Sequence, residues 1–229
     1  MRITIRHHFD FGADRSIVGA DLVRPEAWDA LRTQTGGPFA LASSRQELEL
    51  AADERPEIGE RAREIGRWLE ENDVDALASY GVGGGILEWW LLRIRPTQRL
   101  LLAEYAPATV DRLRELFPGA EVHRHDLLTD PPLPADVHLF HRVDTELNDA
   151  QWLETLGRFA GERVLVVATE VATPRRLLQE LLLRLSGRRL TRAGWLRTRG
   201  AFEALWRTTH DTRPLRLHDL EGWALSPRV

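Results

Sequence analysis

The sequence predicts an α/β chain: a doubly wound, mostly parallel sheet of seven strands with helices on both faces and an antiparallel last strand, preceded by an N-terminal extension. Three observations predict it. Short, fully apolar runs such as LRLLLAE and RVLVVAT are too hydrophobic for a half-solvated sheet and fit parallel strands covered on both faces. Those runs alternate with segments whose apolar residues recur at helical spacing. The last two strand-like runs are only a few residues apart, too close for a crossover helix, so they pair antiparallel at the sheet edge.

In chain order, residues 1 to about 52 read as an irregular leader. It contains a short strand at Arg2–Ile5, a turn at Gly36-Gly37-Pro38 and a short helix capped by Ser43 or Ser44. Pro56 opens a helix in which Ile58, Ala62, Ile65 and Leu69 form one apolar face, ended by Asn72-Asp73. Strands follow at Leu77–Tyr80, Leu100–Glu104, Val122–His125, Val137–His141 and Val164–Ala168. Helices are expected at Ile86–Arg95, Thr109–Phe117, Ala150–Ala160 and Arg175–Leu185. A helix at Thr198–Thr208 precedes the closing strands, Pro214–His218 and Gly222–Ser226. The domain boundary is set at residue 55: residues 1–55 are an extension that could act as a lid or acceptor-site segment, and residues 56–229 are the main domain.

Composition excludes several functions. Hydrophobic residues at 43% supply a sizeable core, so disorder does not dominate. All 31 basic residues are Arg, and the formal charge of −4 gives no global attraction for a phosphate backbone, so no nucleic-acid partner is expected. Cysteine is absent, which removes disulfides, thiolate metal sites and thiol catalysis. No run approaches the roughly 18 apolar residues that span a bilayer, and the charged start MRITIRHHFDF is no signal peptide; a cytoplasmic chain with no membrane partner is expected.

The most informative stretch is Leu77–Gly85, where a strand runs into Gly81-x-Gly83-x-Gly85 and then into the helix ILEWWLLRI. Glycines let the backbone turn sharply and approach a ligand, and the helix start offers unpaired N–H groups. The same turn also serves tight strand–helix packing, and both readings stay open. Glu104 ends the next strand, where a carboxylate can accept ribose hydroxyls. The dinucleotide pattern GxGxxG fails because Ile86 or Glu88 stands in place of its third glycine, and the phosphate-loop pattern fails for want of Lys. An adenosine ligand without a pyrophosphate fits best.

On these residues the chain resembles the class I S-adenosylmethionine-dependent methyltransferases of small-molecule type, over roughly Asp75 to Arg228. The resemblance implies a Rossmann-like fold and S-adenosylmethionine as cofactor. It implies that Gly81, Gly83 and Gly85 lie against the methionine part, with Ser79 and Tyr80 before them, that Glu104 holds the ribose and Tyr105 lines the adenine. It also implies that Asp126, with Leu127, meets the adenine amino group, and that Phe140, His141 and Arg142 face the methyl or the amino-acid end. One departure stands out: Ser79 occupies the place of the acid that holds the cofactor's ammonium, so another acid must substitute or affinity falls. The partner implied is a small-molecule methyl acceptor with a hydroxyl or amine, and a homodimer is allowed.

For a hydroxyl acceptor a base must take the proton, and His matches neutral pH best. His141 leads as catalytic candidate, with Asp144 and Glu146 behind it; the plainer reading has His141 merely ending a strand. His123 and His125 share a strand face without a third ligand, and His7 and His8 have no identifiable partner, so no metal site is expected. Trp89 and Trp90 read as core packing, while Trp28, Trp68 and Phe39 could line an acceptor pocket. The Arg pair at 175 and 176 and the Arg-rich run from Arg184 to Arg199 read either as a site for an acidic substrate or, as such runs more often are, as a solvated face. Two alternatives are kept: a non-catalytic cofactor-binding or scaffold relative, and a nicotinamide-dependent oxidoreductase.

Overall fold

A computed structural model describes residues 1–9, 30–33, 40–185 and 191–228. The turn expected at Gly36-Gly37-Pro38, the aromatic residues Trp28 and Phe39, and residues 186–190 of the Arg-rich run lie outside these. Among the described residues, a helical stretch at 30–33 and two longer helices precede the main sheet: α1 (Arg45–Asp53) and α2 (Pro56–Glu71). Ser44 caps α1, its hydroxyl accepting the Glu47 N–H, and Pro56 opens α2 where a missing N–H costs nothing.

Seven strands then build one sheet: β2 (Ala76–Tyr80), β3 (Arg99–Glu104), β4 (Glu121–Arg124), β5 (Val137–His141), β6 (Val164–Val167), β8 (His210–Leu217) and β9 (Leu220–Pro227). Their spatial order is β4-β3-β2-β5-β6-β9-β8. The first five run parallel; β9 is antiparallel to β6 and to β8. The intervening helices are α3 (Ile86–Ile94), α4 (Pro107–Leu116), α5 (Asp149–Arg158), α6 (Pro174–Leu185) and α7 (Arg199–Trp206). The expected seven-stranded, mostly parallel, doubly wound sheet with an antiparallel last strand is therefore what forms.

Side chains alternate across the strands and so feed two cores. Leu77, Leu102, Leu139 and Leu165 pack under α1 to α4, against Leu48, Ile65, Leu69 and Leu91. Ala78, Tyr80, Phe140 and Val166 face the other way, against α5 and α7, where Trp152, Trp206 and Trp223 are fully buried. Chain order leaves β2 for β3 and β4, then returns to β5 on its other side, so the sheet's switch point lies at the carboxyl end of β2, where open α/β sheets bind ligands.

One element was not expected. β7 (Thr191–Arg197) pairs antiparallel with β1 (Thr4–Phe9) in a separate two-stranded sheet, and β1 begins two residues later than the expected Arg2–Ile5. The reading of Arg184–Arg199 as a solvated face fails at its end for a physical reason. Arg197 is fully buried: its guanidinium pairs with Asp149 at 2.8 Å and donates to the carbonyls of Asp144 and Leu147 at 2.5 Å each. It locks β7 to the start of α5, whose N-terminus Asn148 and Gln151 close with a capping box. Among the described residues no helix is long and apolar enough to cross a membrane.

Candidate functional site

β2 delivers the chain into a turn where Gly81, Gly83 and Gly85 all have positive φ, at 65°, 61° and 75°. Two of them are fixed by crowding as well. A Cβ on Gly81 would lie 2.3 Å from Val143, and one on Gly85 2.6 Å from the Phe117 ring. The turn is pinned to the neighbouring strand by Gly81 N–H donating to the Ala103 carbonyl at 2.9 Å.

Glu104, at the end of β3, faces this turn. One carboxylate oxygen accepts the Gly83 N–H at 3.1 Å; the other accepts the N–H groups of Tyr105 and Ala106 at 2.9 and 3.4 Å. From the N-terminal part Arg32 reaches the same carboxylate, Nη1 to Oε2 at 3.1 Å, with side-chain exposures of 8% and 0%. The same guanidinium donates to the Thr109 hydroxyl at 2.9 Å.

Beneath the turn, Ser79 donates its hydroxyl to Glu88 Oε1 at 2.6 Å, and both side chains are buried. Burial pushes the Glu88 carboxyl up to about 7, against the opposing Ser79 hydrogen bond. Its second oxygen is buried without a partner. The position where an acid was missing therefore has a carboxyl supplied from the first turns of α3. An acid inside the otherwise apolar run ILEWWLLRI was the available signal for it.

A cavity opens at the carboxyl ends of β2, β3 and β4, lined by Tyr80, Gly81, Tyr105, Asp126, Leu127 and Glu146 among others. Asp126 accepts the Leu128 N–H at 2.8 Å and so shapes the loop that forms one wall. Burial first, then the charges of Glu146 and Glu104, push the Tyr105 hydroxyl up, so it stays protonated. Glu146 is likewise raised, to about 8, by burial first and then by Glu104, with Arg32 acting the other way.

The expected site residues separate into two groups. Tyr80, Gly81, Tyr105, Asp126 and Leu127 line the cavity, while Gly83, Gly85 and Glu104 form the adjoining turn. His141 shares its strand face with Leu139, away from Tyr80 and Phe140, and does not line the cavity. Burial first, then the positive charges of Arg142 and Arg61, lower His141 to about 3. Such an imidazole is neutral and weakly basic. Asp144 is buried with one oxygen accepting the Thr169 N–H and hydroxyl, both at 2.7 Å, and ties the end of β5 to the end of β6. Burial raises it, opposed by those Thr169 bonds.

Two other histidines are held by hydrogen bonds, and His125 also lines the cavity. His125 bonds the Pro131 carbonyl at 2.9 Å with its ring edge-on to Tyr80, and His7 bonds Arg176 at 3.0 Å. Among the described residues no group of three or more His, Asp or Glu could hold a metal ion. Arg32 and the inward-facing Glu88 were not expected from the sequence. Arg32 lies some 70 residues from its partner, and nothing local marks it.

No protein-family model matches the sequence, and no protein of curated function matches it. Solved structures match by fold. The chain is similar to human N-acetylserotonin methyltransferase in complex with S-adenosylmethionine, at 18% identity and a TM-score of 0.61, over 81% of this chain and 57% of that one. The mitomycin 7-O-methyltransferase MmcR matches at 20% identity and 0.58, over 95% of this chain and 76% of that one. The calicheamicin-biosynthesis methyltransferase CalO1 in its S-adenosylhomocysteine-bound form matches at 22% and 0.52, over 67% and 49%. This chain spans about half the length of several of the structures it matches, at 57%, 50% and 55% of three of them. What is shared is the fold, the Rossmann-like sheet of the class I S-adenosylmethionine-dependent methyltransferases.

Proposed function

We propose that this chain, built on the class I methyltransferase fold, binds S-adenosylmethionine at the glycine turn and transfers its methyl group to a small-molecule hydroxyl or amine. The observation that carries the reading is Glu104, a buried carboxylate held by three N–H groups at the edge of a three-glycine turn, next to a cavity walled by Tyr105, Asp126 and Leu127. A strand-end acid so oriented accepts ribose hydroxyls, and the aromatic and aliphatic walls suit a purine. The residues fit the cofactor in one further respect: beneath the turn the Glu88 carboxyl keeps a buried oxygen without a partner, available as an acceptor for the cofactor's ammonium.

When bound, the cofactor's sulfonium supplies the methyl group for an in-line displacement. The chain's task is then to fix the acceptor in line and exclude water, and holding two reactants in a near-attack geometry is a large part of catalysis. For a hydroxyl acceptor a proton must also be removed. Glu146 is the group on the cavity wall whose raised value near 8 suits a base at neutral pH. His141 and Asp144, the candidates favoured by residue type, take positioning roles in this reading. Asp144, bonded to Thr169, fixes the β5 end from which Glu146 is presented. Residues 1–55 reach the site through Arg32 on Glu104, which supports a segment that covers the cofactor side. A small-molecule acceptor is supported by the methyltransferases of N-acetylserotonin and mitomycin among the matched structures. Isothermal titration with S-adenosylhomocysteine tests the reading: heat with one site per chain is expected, and a folded protein giving none at millimolar ligand would refute it.

A further inference from the structure

Glu104 is already full. An ionised carboxylate offers about four lone-pair positions, and three of these are used by the N–H groups of Gly83, Tyr105 and Ala106. The fourth faces the Arg32 guanidinium at 3.1 Å. That guanidinium also lies against the glycine turn itself, since a Cβ built on Gly83 would stand 3.5 Å from Arg32 Nη2. A ribose therefore finds neither a free acceptor on Glu104 nor open space over Gly83 until the guanidinium moves.

The backbone beneath this side chain is fixed. Leu31 is buried, and the Arg32 carbonyl accepts the Leu41 N–H at 3.1 Å. The charged end hangs on a long, flexible stem, so it can leave Glu104 by side-chain rotation, giving up its bond to the Thr109 hydroxyl as well. The contact is thus poised to open without unfolding the segment that carries it.

We propose that Arg32 is a built-in competitor for the cofactor: its guanidinium occupies the ribose position on Glu104, and an adenosine ligand binds only by displacing it. The inference rests on the reading of the site given above. It turns the N-terminal part of the chain into a control on cofactor loading, because anything that draws Arg32 away, such as an acidic acceptor or partner, opens the site.

The test is calorimetric titration of S-adenosylhomocysteine and of methylthioadenosine into the full chain, its Arg32→Met and Arg32→Gln variants, and the same pair made in a Glu104→Gln background. Folding of each is followed by circular dichroism, and Arg32→Gln keeps the test open if Arg32→Met does not fold. Removing the guanidinium should tighten both ligands at least about tenfold, the lower end of what a hydrogen bond to a charged group is worth. The gain should vanish in the Glu104→Gln background, where no carboxylate remains to be freed. Equal or weaker binding by folded Arg32 variants overturns the competitor while leaving the cofactor reading intact. Failure of every folded variant, wild type included, to bind either adenosine overturns both. Binding by the variants but not the wild type supports both.

Discussion

Glu146→Gln isolates the charge that the cavity wall resists. Glu146 sits at about 8 against an ordinary 4.5, because burial and the neighbouring Glu104 disfavour its ionised form. The folded chain therefore keeps a proton that the unfolded chain gives up above about pH 4.5. The stability tied to that proton is fully present below the unfolded value and is lost as pH rises to the folded one. The full gap corresponds to roughly 5 kcal/mol. Glu146 is only partly buried, so solvent screening brings the expected loss down to about 2 kcal/mol. Glutamine cannot ionise and stays as the protonated acid would. Urea unfolding of both proteins at pH 5 and pH 8.5 reads the effect: wild type should lose about 2 kcal/mol relative to Glu146→Gln across that interval. Parallel pH dependences in the two proteins would refute the environment assigned to this residue and, with it, its role as a base tuned to neutral pH.

Other perturbations test the scaffold around the site. Gly81→Ala combines a left-handed backbone with a Cβ 2.3 Å from Val143; about 2 to 4 kcal/mol of stability should be lost, read by urea unfolding, with cofactor affinity falling alongside. Arg197→Met removes the buried donor to the Asp144 and Leu147 carbonyls and the ion pair to the half-exposed Asp149, and a loss of about 3 kcal/mol is expected in the same assay. Ser44→Ala removes the cap of α1 and should cost about 1 kcal/mol without changing ligand affinity, which the two measurements together would check.

The strands and helices of the main sheet were legible because burial on both faces writes itself into the chain as unbroken apolar runs. LRLLLAE and RVLVVAT became β3 and β6, and the antiparallel closing pair followed from its short link. β7 was not legible, since Arg192 and Arg197 look like solvent-facing residues and nothing local says that Arg197 meets Asp149 and two carbonyls in the interior. The same division runs through the site. The glycine turn and Glu104 are neighbours along successive strand ends and could be anticipated from strand order, while the Tyr105–Asp126 wall was implied only by the resemblance to the methyltransferases. Which face of β5 the cavity opens on could not be, so the sequence did not separate Glu146, which lines the cavity, from His141, which does not. Ser79 looked like a lost acid until folding brought Glu88 within 2.6 Å of its hydroxyl. One helical turn and a strand end, nine residues apart, make a pair that spacing alone does not announce.

The central claim is that the Glu104 carboxylate at the glycine turn holds an adenosine. Titration of S-adenosylhomocysteine into wild type and Glu104→Gln, each verified as folded, tests it most directly. Saturable one-to-one binding by wild type and at least a hundredfold loss in the variant are predicted, about 2.7 kcal/mol or more. Equal affinity in the two proteins, or no heat from the folded wild type at millimolar ligand, would contradict it.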